Sequence, residues 1–282
     1  MAIAMDSWFT ERVNDAVGTA IKVRQPIFSG RSRYQKIEIV DTYQFGRTLI
    51  LEGSIQLTEQ DEFIYHEMIS HIPLFSHPNP EHVLVIGGGD GGTIREVLKH
   101  PTVKRATLVE IDQLVIEKSK EFLPFVSCEM ENPRVEVIIQ DGINYVKGHK
   151  GAFDVILIDS TDPVGPAVDL FKREFFRDIH DALRDDGIMV GQSESPFFDQ
   201  HLVRELYATL KPLFPIRKMY LTPVPSYPSG LWSFAFCSKK YDPILDNRCE
   251  ELRRLNLNTR YYNGAMHQAA FAIPNFIQEL IA

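Results

Sequence analysis

Cysteine is scarce in this chain of 282 residues: Cys128, Cys237 and Cys249 are odd in number, widely spaced and form no CxxC pair. Such usage indicates reduced thiols and predicts a cytoplasmic protein. The longest apolar runs, at 83–86 and 155–158, are far shorter than a membrane span. The N-terminal segment lacks the basic and apolar regions of a signal peptide, so we expect neither secretion nor membrane insertion.

Basic residues are in the minority. The chain has 30 Lys and Arg against 38 Asp and Glu, which gives a formal net charge of −8. Because binding to a phosphate backbone needs a clustered basic surface, this balance argues against a nucleic-acid partner. A cationic ligand would be tolerated. With 44% apolar residues, the chain has enough material for one large folded domain, or for a large and a small one.

The N-terminal part of the sequence is rich in strand-forming residues. Partly alternating segments predict strands at 20–28, 33–41 and 47–51, with turns at 29–30, 45–46 and 52–53. A helix follows at 59–74, for which Thr58 is the expected N-cap and Asp61 stands three residues later. The two prolines of 76–80 (SHPNP) then mark a boundary. We therefore predict a β-rich N-terminal domain, 1–75, that ends in a helix.

After residue 76 the pattern changes to short apolar strands that alternate with helices. Strands are predicted at 82–86, 106–111, 135–140, 153–159, 187–192, 216–221 and 232–238. Helices are predicted at 93–100, 113–122, 170–183 and 200–213, with a short helix after residue 140 and two more after residue 244. Continuous apolar strands separated by helices predict an α/β fold in which helices cover both faces of a mostly parallel sheet. This second domain would span 76–282.

The first strand of that domain ends in a glycine-rich loop, GGGDGG at 87–92. Gly87, Gly89 and Gly92 fit the G-x-G-x-x-G pattern between a strand and a helix, where a ligand approaches the backbone closely. A simple tight turn is the alternative. The loop lacks the Lys-Ser/Thr pair that binds nucleotide triphosphates, and Asp90 inside it would repel a pyrophosphate. A cationic tail would be attracted, which favours a sulfonium nucleoside over NAD.

Acidic residues follow the next strands, at the edge where ligands of open α/β sheets bind. Glu110 is placed to bind both hydroxyls of a ribose, whereas Asp112 is better interpreted as a helix N-cap. Asp141, before Gly142, would accept a hydrogen bond from an adenine amino group or would cap the next helix. Three acids at successive strand ends indicate an adenosine-containing ligand.

The fourth strand ends at Asp159, and Asp162 follows in a loop that contains two prolines. A carboxylate within hydrogen-bonding reach of an amine orients it and accepts its proton as the amine attacks carbon. For Asp162, a turn before Pro163 is the alternative interpretation. The aromatic side chains of Tyr65, Tyr227 and Trp8 would attract cations and methylene chains, although each also suits core packing.

A metal site is not predicted. His66 and His71 resemble the two histidines of a zinc-protease helix, but they are five residues apart instead of four. At 3.6 residues per turn they would diverge by about 140°. The remaining histidines are scattered and form no ligand set.

Several segments together resemble the spermidine synthase family of aminopropyltransferases. They are 51–56 (LEGSIQ), 58–67 (TEQDEFIYHE), 87–92, 109–112 (VEID), 159–166 (DSTDPVGP) and 227–230 (YPSG). The resemblance covers essentially the whole chain. It implies transfer of the aminopropyl group of decarboxylated S-adenosylmethionine to putrescine, without a metal or redox cofactor. It also implies a small N-terminal β domain joined to a methyltransferase-like Rossmann domain, in a homodimer or homotetramer.

The resemblance also implies roles for individual residues. Asp159 would be the catalytic base, with Tyr65 and the Ser160 carbonyl orienting the attacking amine. Residues expected along the diamine channel are Asp162, Glu194, Tyr227 and Trp8; Glu194 follows a strand after which family members vary. Nucleoside contacts are expected from Gly87, Gly89, Gly92, Glu110, Asp141, Gly142 and Pro166. Residues expected around the sulfonium side chain are Gln35, Gln56, His66 and Asp90.

Other functions are compatible with parts of this pattern. An amine N-methyltransferase on the same scaffold would use S-adenosylmethionine, but Asp90 would repel the carboxylate of that cofactor. A non-catalytic polyamine sensor is disfavoured by the Asp159–Asp162 pair, and an NAD-linked dehydrogenase by Asp90. The pattern leaves open whether the acceptor is putrescine, cadaverine, agmatine or spermidine, and whether the assembly is a dimer or a tetramer.

Overall fold

The computed structural model describes residues 7–161 and 170–282 and contains two β-sheets. The first sheet is antiparallel, with strands in the order β1-β2-β3-β4-β5. Its strands are β1 Ser7–Arg12, β2 Gly18–Arg31, β3 Lys36–Thr42, β4 Gly46–Leu51 and β5 Ser54–Thr58.

The second sheet has seven strands in the order β11-β12-β10-β9-β6-β7-β8. Strands β10, β9, β6, β7 and β8 are parallel, and β12 and β11 are antiparallel additions at one edge. The strands are β6 His82–Gly87, β7 Arg105–Glu110, β8 Val135–Ile139, β9 Phe153–Asp159, β10 Leu183–Gln192, β11 Ile216–Pro223 and β12 Leu231–Ser238.

Helices occupy both faces of this second sheet. They are α1 Glu62–Ser76, α2 Gly92–Leu98, α3 Gln113–Phe122, α4 Pro124–Ser127, α5 Gly142–Lys147, α6 Arg173–Ala182, α7 Gln200–Leu210, α8 Leu252–Leu255, α9 Gly264–Ala269 and α10 Asn275–Ile281. Alternate strand residues pack on opposite faces: Val155 and Leu157 join the cluster under α1 and α2, and Ile156 and Ile158 join the cluster under α5, α6 and α7. The predicted α/β fold with a small β domain before it is confirmed.

Four local predictions were wrong. Strands β1 and β5 were not predicted, because their polar alternating sequences resemble loops. The turn expected at 29–30 lies inside β2, which continues to Arg31. Thr58 belongs to β5 and does not cap α1; the N-cap is Asp61, whose carboxylate accepts a hydrogen bond from the Thr58 hydroxyl at 2.6 Å. The C-terminal part has three short helices where two were predicted.

Helix α1 is buried along almost its whole length, with only Phe63 partly exposed. Its Glu67 carboxylate accepts hydrogen bonds from the backbone amides of Arg260, Tyr261 and Tyr262 at 2.7–2.8 Å. At its C-terminal end, Arg248 donates to backbone carbonyls. The C-terminal segment therefore fixes the helix that carries Tyr65 and His66. Among residues 7–161 and 170–282, no helix has the length and apolar character to cross a membrane.

Candidate active site

A cavity of about 1060 Å³ lies between the first sheet and the carboxyl ends of the parallel strands. Its lining includes most of the residues that the sequence singled out. These are Gln35, Gln56, Tyr65, His66, Gly87, Gly89, Asp90, Glu110, Asp141, Gly142, Asp159, Glu194 and Tyr227. Two further predicted site residues, Asp162 and Pro166 of the DSTDPVGP segment, lie outside the described residues.

The glycine loop lies directly against the end of β9. Gly87 and Gly88 have φ angles of +79° and +66°, and the Gly88 amide donates to the Asp159 carbonyl at 2.8 Å. A Cβ atom on Gly87 would be 2.2 Å from that same carbonyl oxygen. The first glycines thus permit both a left-handed turn and close approach of two strand ends.

Gly92 lies against a histidine of the site. It begins α2, does not line the cavity within the described residues, and lies under the His66 ring, where a Cβ atom would be 2.3 Å from the ring. A nucleoside contact stays a prediction for Gly92. Its missing side chain allows His66 to reach the loop.

Asp159 is partly buried in the cavity wall, and both of its carboxylate oxygens are hydrogen-bonded. The Tyr65 hydroxyl donates to Oδ1 at 2.8 Å, and the Thr93 hydroxyl donates to Oδ2 at 2.6 Å. Burial and the nearby Asp90 carboxylate raise the pKa of Asp159, while His66 and the two hydroxyl donors oppose that rise. Asp159 is therefore held in one orientation and is a better proton acceptor than an ordinary aspartate.

The pKa of Asp90 is shifted in the opposite direction, below its usual value. Burial would raise the pKa of its carboxyl, but His66 and the Gly92 amide, which donates to Oδ1 at 2.8 Å, lower it below the usual value. His66 Nε2 is 3.3 Å from Asp90 Oδ1, and its Nδ1 is 2.5 Å from Glu62 Oε2. Burial lowers the pKa of His66, but Asp90 and Glu62 together raise it to about 10. The site thus holds an ionised Asp90 beside an imidazolium.

Glu110 faces the glycine loop from the end of β7. Its Oε1 accepts a hydrogen bond from the Asp112 amide at 2.8 Å, and a Cβ atom on Gly89 would be 2.9 Å from the Glu110 side chain. Burial raises the pKa of Glu110 to about 7, an effect that the Asp112 amide opposes. Asp112 caps α3 through the Leu114 amide, as predicted.

Both carboxylate oxygens of Asp141 accept hydrogen bonds from the helix that it precedes, α5. Oδ1 accepts from the Ile143 amide and Oδ2 from the Asn144 side chain. The capping alternative is therefore observed. The adenine contact stays a prediction for this residue, which also lines the cavity.

Polar and aromatic side chains form the opposite wall. The Tyr227 hydroxyl donates to the Gln56 carbonyl at 2.6 Å, and its ring centroid is 6.0 Å from that of Tyr65. Gln35 donates to Asp112 Oδ2 at 3.1 Å. Glu194 is buried with a left-handed φ of 66°, and its Oε1 accepts a hydrogen bond from Gln192 at 2.9 Å. Backbone strain of this kind often occurs at functional sites.

Trp8 is placed elsewhere. Its indole is 57% exposed on β1, and among the described residues it is not part of the cavity wall. Its neighbours Glu11, Arg12 and Val13 line the cavity instead. A role for Trp8 in the diamine channel stays a prediction.

Three supporting residues were not predicted from the sequence. Thr93 follows the glycine loop directly, and Glu62 stands one helical turn before His66; an apolar–polar pattern does not reveal that either side chain meets an active-site group. Gln192, at the end of β10, also lines the cavity, and its amide is 3.4 Å from the Ser160 carbonyl. Its position at a strand end was the signal that could have identified it.

One group among the described residues has a geometry that could hold a metal ion. His66, Asp90 and Asp159 each offer one ligand atom, and these atoms lie within 4.8 Å of one another. Metal binding requires a neutral imidazole with a free nitrogen lone pair. Both nitrogens of His66 already face carboxylates, so the arrangement favours a proton on the ring over a metal ion.

Comparison with known proteins gives full-length matches. The spermine/spermidine synthase domain matches residues 62–247, and the spermidine synthase tetramerisation domain matches residues 7–59. The polyamine aminopropyltransferase of Caldicellulosiruptor saccharolyticus is 51% identical over 277 residues, which cover 98% of this chain and 99% of that protein. The polyamine aminopropyltransferase of Bacillus subtilis is 47% identical over 274 residues, covering 97% and 98% respectively.

Solved structures agree with these matches. A spermidine synthase in complex with the transition-state analogue AdoDATO superimposes with a TM-score of 0.96 at 44% identity, covering 98% of this chain and 95% of that one. The Thermotoga maritima spermidine synthase has a TM-score of 0.95 at 44% identity, covering 98% and 94%. With the acidic cavity at the sheet edge, these matches show that the chain belongs to the spermine/spermidine synthase family.

Proposed function

We propose that the chain is a spermidine synthase, an aminopropyltransferase that uses decarboxylated S-adenosylmethionine and putrescine and forms spermidine and methylthioadenosine. The observation that carries this proposal is the pair of partly buried carboxylates that line the cavity together, of which Asp90 has a lowered pKa and Asp159 a raised one. One acid is suited to hold a cation and the other to take up a proton.

The nucleoside fits the side of the cavity formed by the glycine loop and β7. Glu110 binds the ribose hydroxyls, and the loop backbone at Gly87 and Gly89 allows close approach. Decarboxylation leaves an ammonium group at the end of the sulfonium side chain. The Asp90 carboxylate pairs with that ammonium and would repel the carboxylate that S-adenosylmethionine retains.

The reaction forms one N–C bond and breaks one C–S bond. The attacking nitrogen needs a free electron pair, so its ammonium proton passes to Asp159. The Tyr65 hydroxyl holds Asp159 Oδ1, and its ring lies beside Tyr227, where methylene groups of the acceptor would pack. The electron pair of the broken bond stays on sulfur, which turns the sulfonium into a neutral thioether.

The chemistry calls for no resident metal or redox cofactor. No electrons are exchanged with a third group, and the positive sulfur already polarises the bond that breaks. The protein mainly aligns the two cationic substrates and accepts one proton. We therefore propose that decarboxylated S-adenosylmethionine serves as a co-substrate and that the His66–Asp90–Asp159 group works without a metal.

We also propose that the chain assembles as a homotetramer or a homodimer. The match of residues 7–59 to a tetramerisation domain supports this, as do the exposed Trp8 and Tyr43 of the first sheet. A division near residue 75 into a β-rich domain and a nucleoside-binding domain remains part of this proposal, although α1 packs on the second sheet.

The test is a product assay by mass spectrometry on purified protein. Decarboxylated S-adenosylmethionine with putrescine should give spermidine and methylthioadenosine in equal amounts. Parallel reactions contain cadaverine, agmatine or spermidine as the acceptor, and S-adenosylmethionine as the donor. Absence of an aminopropylated product with every acceptor would reject the proposal. A methylated amine formed from S-adenosylmethionine would point to methyl transfer instead.

A further inference from the structure

Glu62, the first residue of α1, lies behind His66. In the part of the chain that the structure describes, Glu62 is not among the residues that line the cavity. Its carboxylate is almost completely buried. It faces His66 Nδ1 at 2.5 Å and accepts two hydrogen bonds from Arg95, to Oε1 at 2.9 Å and to Oε2 at 2.8 Å. Arg95 is itself held by Glu96 and by the Phe125 carbonyl. This bidentate arrangement fixes both the charge and the direction of Glu62.

The geometry sets the protonation of His66. Its two ring nitrogens face different carboxylates, Glu62 on one side and Asp90 on the other. A neutral imidazole has one N–H and one lone pair, so one of its nitrogens would then point a lone pair at a carboxylate. Only the doubly protonated ring donates to both partners. The other groups that face His66 are the Tyr65 ring on α1 and the Asp159 carboxylate at the end of β9.

A cation at this position matters because Asp90 and Asp159 are only partly exposed to solvent and lie close together, with one oxygen of each within 4.8 Å of the other. Two carboxylates at such short range do not both ionise at neutral pH unless a positive charge offsets their repulsion. His66 lowers the pKa of both acids, and of these two acids it forms an ion pair with Asp90, at 3.3 Å. Asp90 therefore stays ionised, and Asp159 is the acid of the pair that takes up a proton.

We infer that Glu62 is a positioning residue for the reaction: it keeps His66 doubly protonated against Asp90, and so assigns cation binding to Asp90 and proton uptake to Asp159. This inference rests on the proposed function. Glu62 touches neither substrate, and Arg95 holds it in place. Its effect on the reaction passes through the charge of His66.

The protonation state is measured first, in the full-length protein without substrates. Histidine labelled with ¹⁵N reports by NMR whether both ring nitrogens carry protons, and the spectrum of the His66→Gln variant assigns the signals. We expect His66 to remain an imidazolium at pH 8.5 and to become neutral at a lower pH in Glu62→Gln. A neutral His66 in the unmodified protein at pH 8.5 would overturn the inference.

The second measurement is the pH dependence of kcat/KM in Glu62→Gln. When the imidazolium is lost, the Asp90–Asp159 pair takes its first proton at higher pH. The acidic limb of the profile should therefore move upward by about one pH unit, which lowers kcat/KM about tenfold on that limb. A loss of activity by the same factor at every pH, with the limb unmoved, would show a purely structural role and contradict the inference.

Asp154→Asn is the matched control. Asp154 is also buried and paired with an arginine, Arg184, at 2.7 Å, but it lies at the opposite end of β9 from the cavity. This substitution should lower stability without moving the acidic limb. If the unmodified protein forms no aminopropylated product, the proposed function fails, and the NMR titration still decides the state of His66.

Discussion

Glu110 illustrates how the site depends on single ionisable groups. Its place at the end of β7 was predicted from the sequence, because parallel strands end at the ligand edge of the sheet. Its protonation was not predictable, since burial around the carboxylate depends on how the loops fold over it. The structure adds this information: burial raises the pKa of Glu110 to about 7.

The affinity for methylthioadenosine should therefore rise with pH between 6 and 8. The ionised carboxylate accepts hydrogen bonds from both ribose hydroxyls, and the acid form, which dominates below the raised pKa, accepts them less well. Isothermal titration calorimetry across this range measures the effect. In Glu110→Gln the affinity should be lower and nearly independent of pH. An affinity that does not change with pH in the unmodified protein would contradict this role.

Some residues of the site were predictable from the sequence and others were not. Asp90 was identified within the glycine loop, and Glu110 and Asp159 were identified at the ends of predicted strands. Thr93 and Glu62 were missed because their contacts join α1, α2 and the end of β9, which are distant in the chain. The same reason applies to the packing of the His66 ring over Gly92, which was not predicted.

At the scale of elements, α1 is the helix that contributes most to the site. It carries Tyr65 and His66 and is fixed at Glu67 by three backbone amides of the C-terminal segment. The sequence predicted this helix to within three residues at either end. It did not predict the anchor, because the segment after residue 244 shows no readable motif. Strands β1 and β5 were missed for a related reason: their pairing partners, not their own composition, make them strands.

Glu67→Gln should destabilise the protein. A glutamine has a single acceptor oxygen and adds two donors, so at least one buried amide of residues 260–262 loses its partner, at a cost of about 1–3 kcal/mol. Differential scanning calorimetry should show a lower Tm. Glu121→Gln is the control, since Glu121 forms only an exposed pair with Lys118. Equal melting temperatures for the two variants would show that Glu67 does not anchor α1.

At the scale of the whole molecule, the fold was predicted well and the assembly only in outline. Alternating strand and helix patterns predicted the parallel sheet, and the strand-rich segments of the N-terminal part predicted the β domain before it. Cysteine usage predicts a cytoplasmic protein, and that prediction remains to be tested. Contacts between copies depend on surfaces that pattern analysis does not resolve, so the choice between a dimer and a tetramer needs a measurement.

Light scattering coupled to size-exclusion chromatography should give four times the mass of one chain. The basis is the match of residues 7–59 to a tetramerisation domain, together with the exposed aromatic residues of the first sheet. A mass of two chains would favour the dimer. A single-chain mass over a wide range of protein concentrations would contradict an oligomer of either kind.

In the proposed reaction, Asp159 accepts the proton of the attacking amine. The most direct test compares Asp159→Asn with the unmodified protein for turnover and for methylthioadenosine binding. Turnover should fall by about 10²–10⁴-fold, the usual contribution of a general base, while the affinity for methylthioadenosine stays within about threefold. Near-normal turnover in Asp159→Asn would contradict the claim and remove Asp159 from the mechanism.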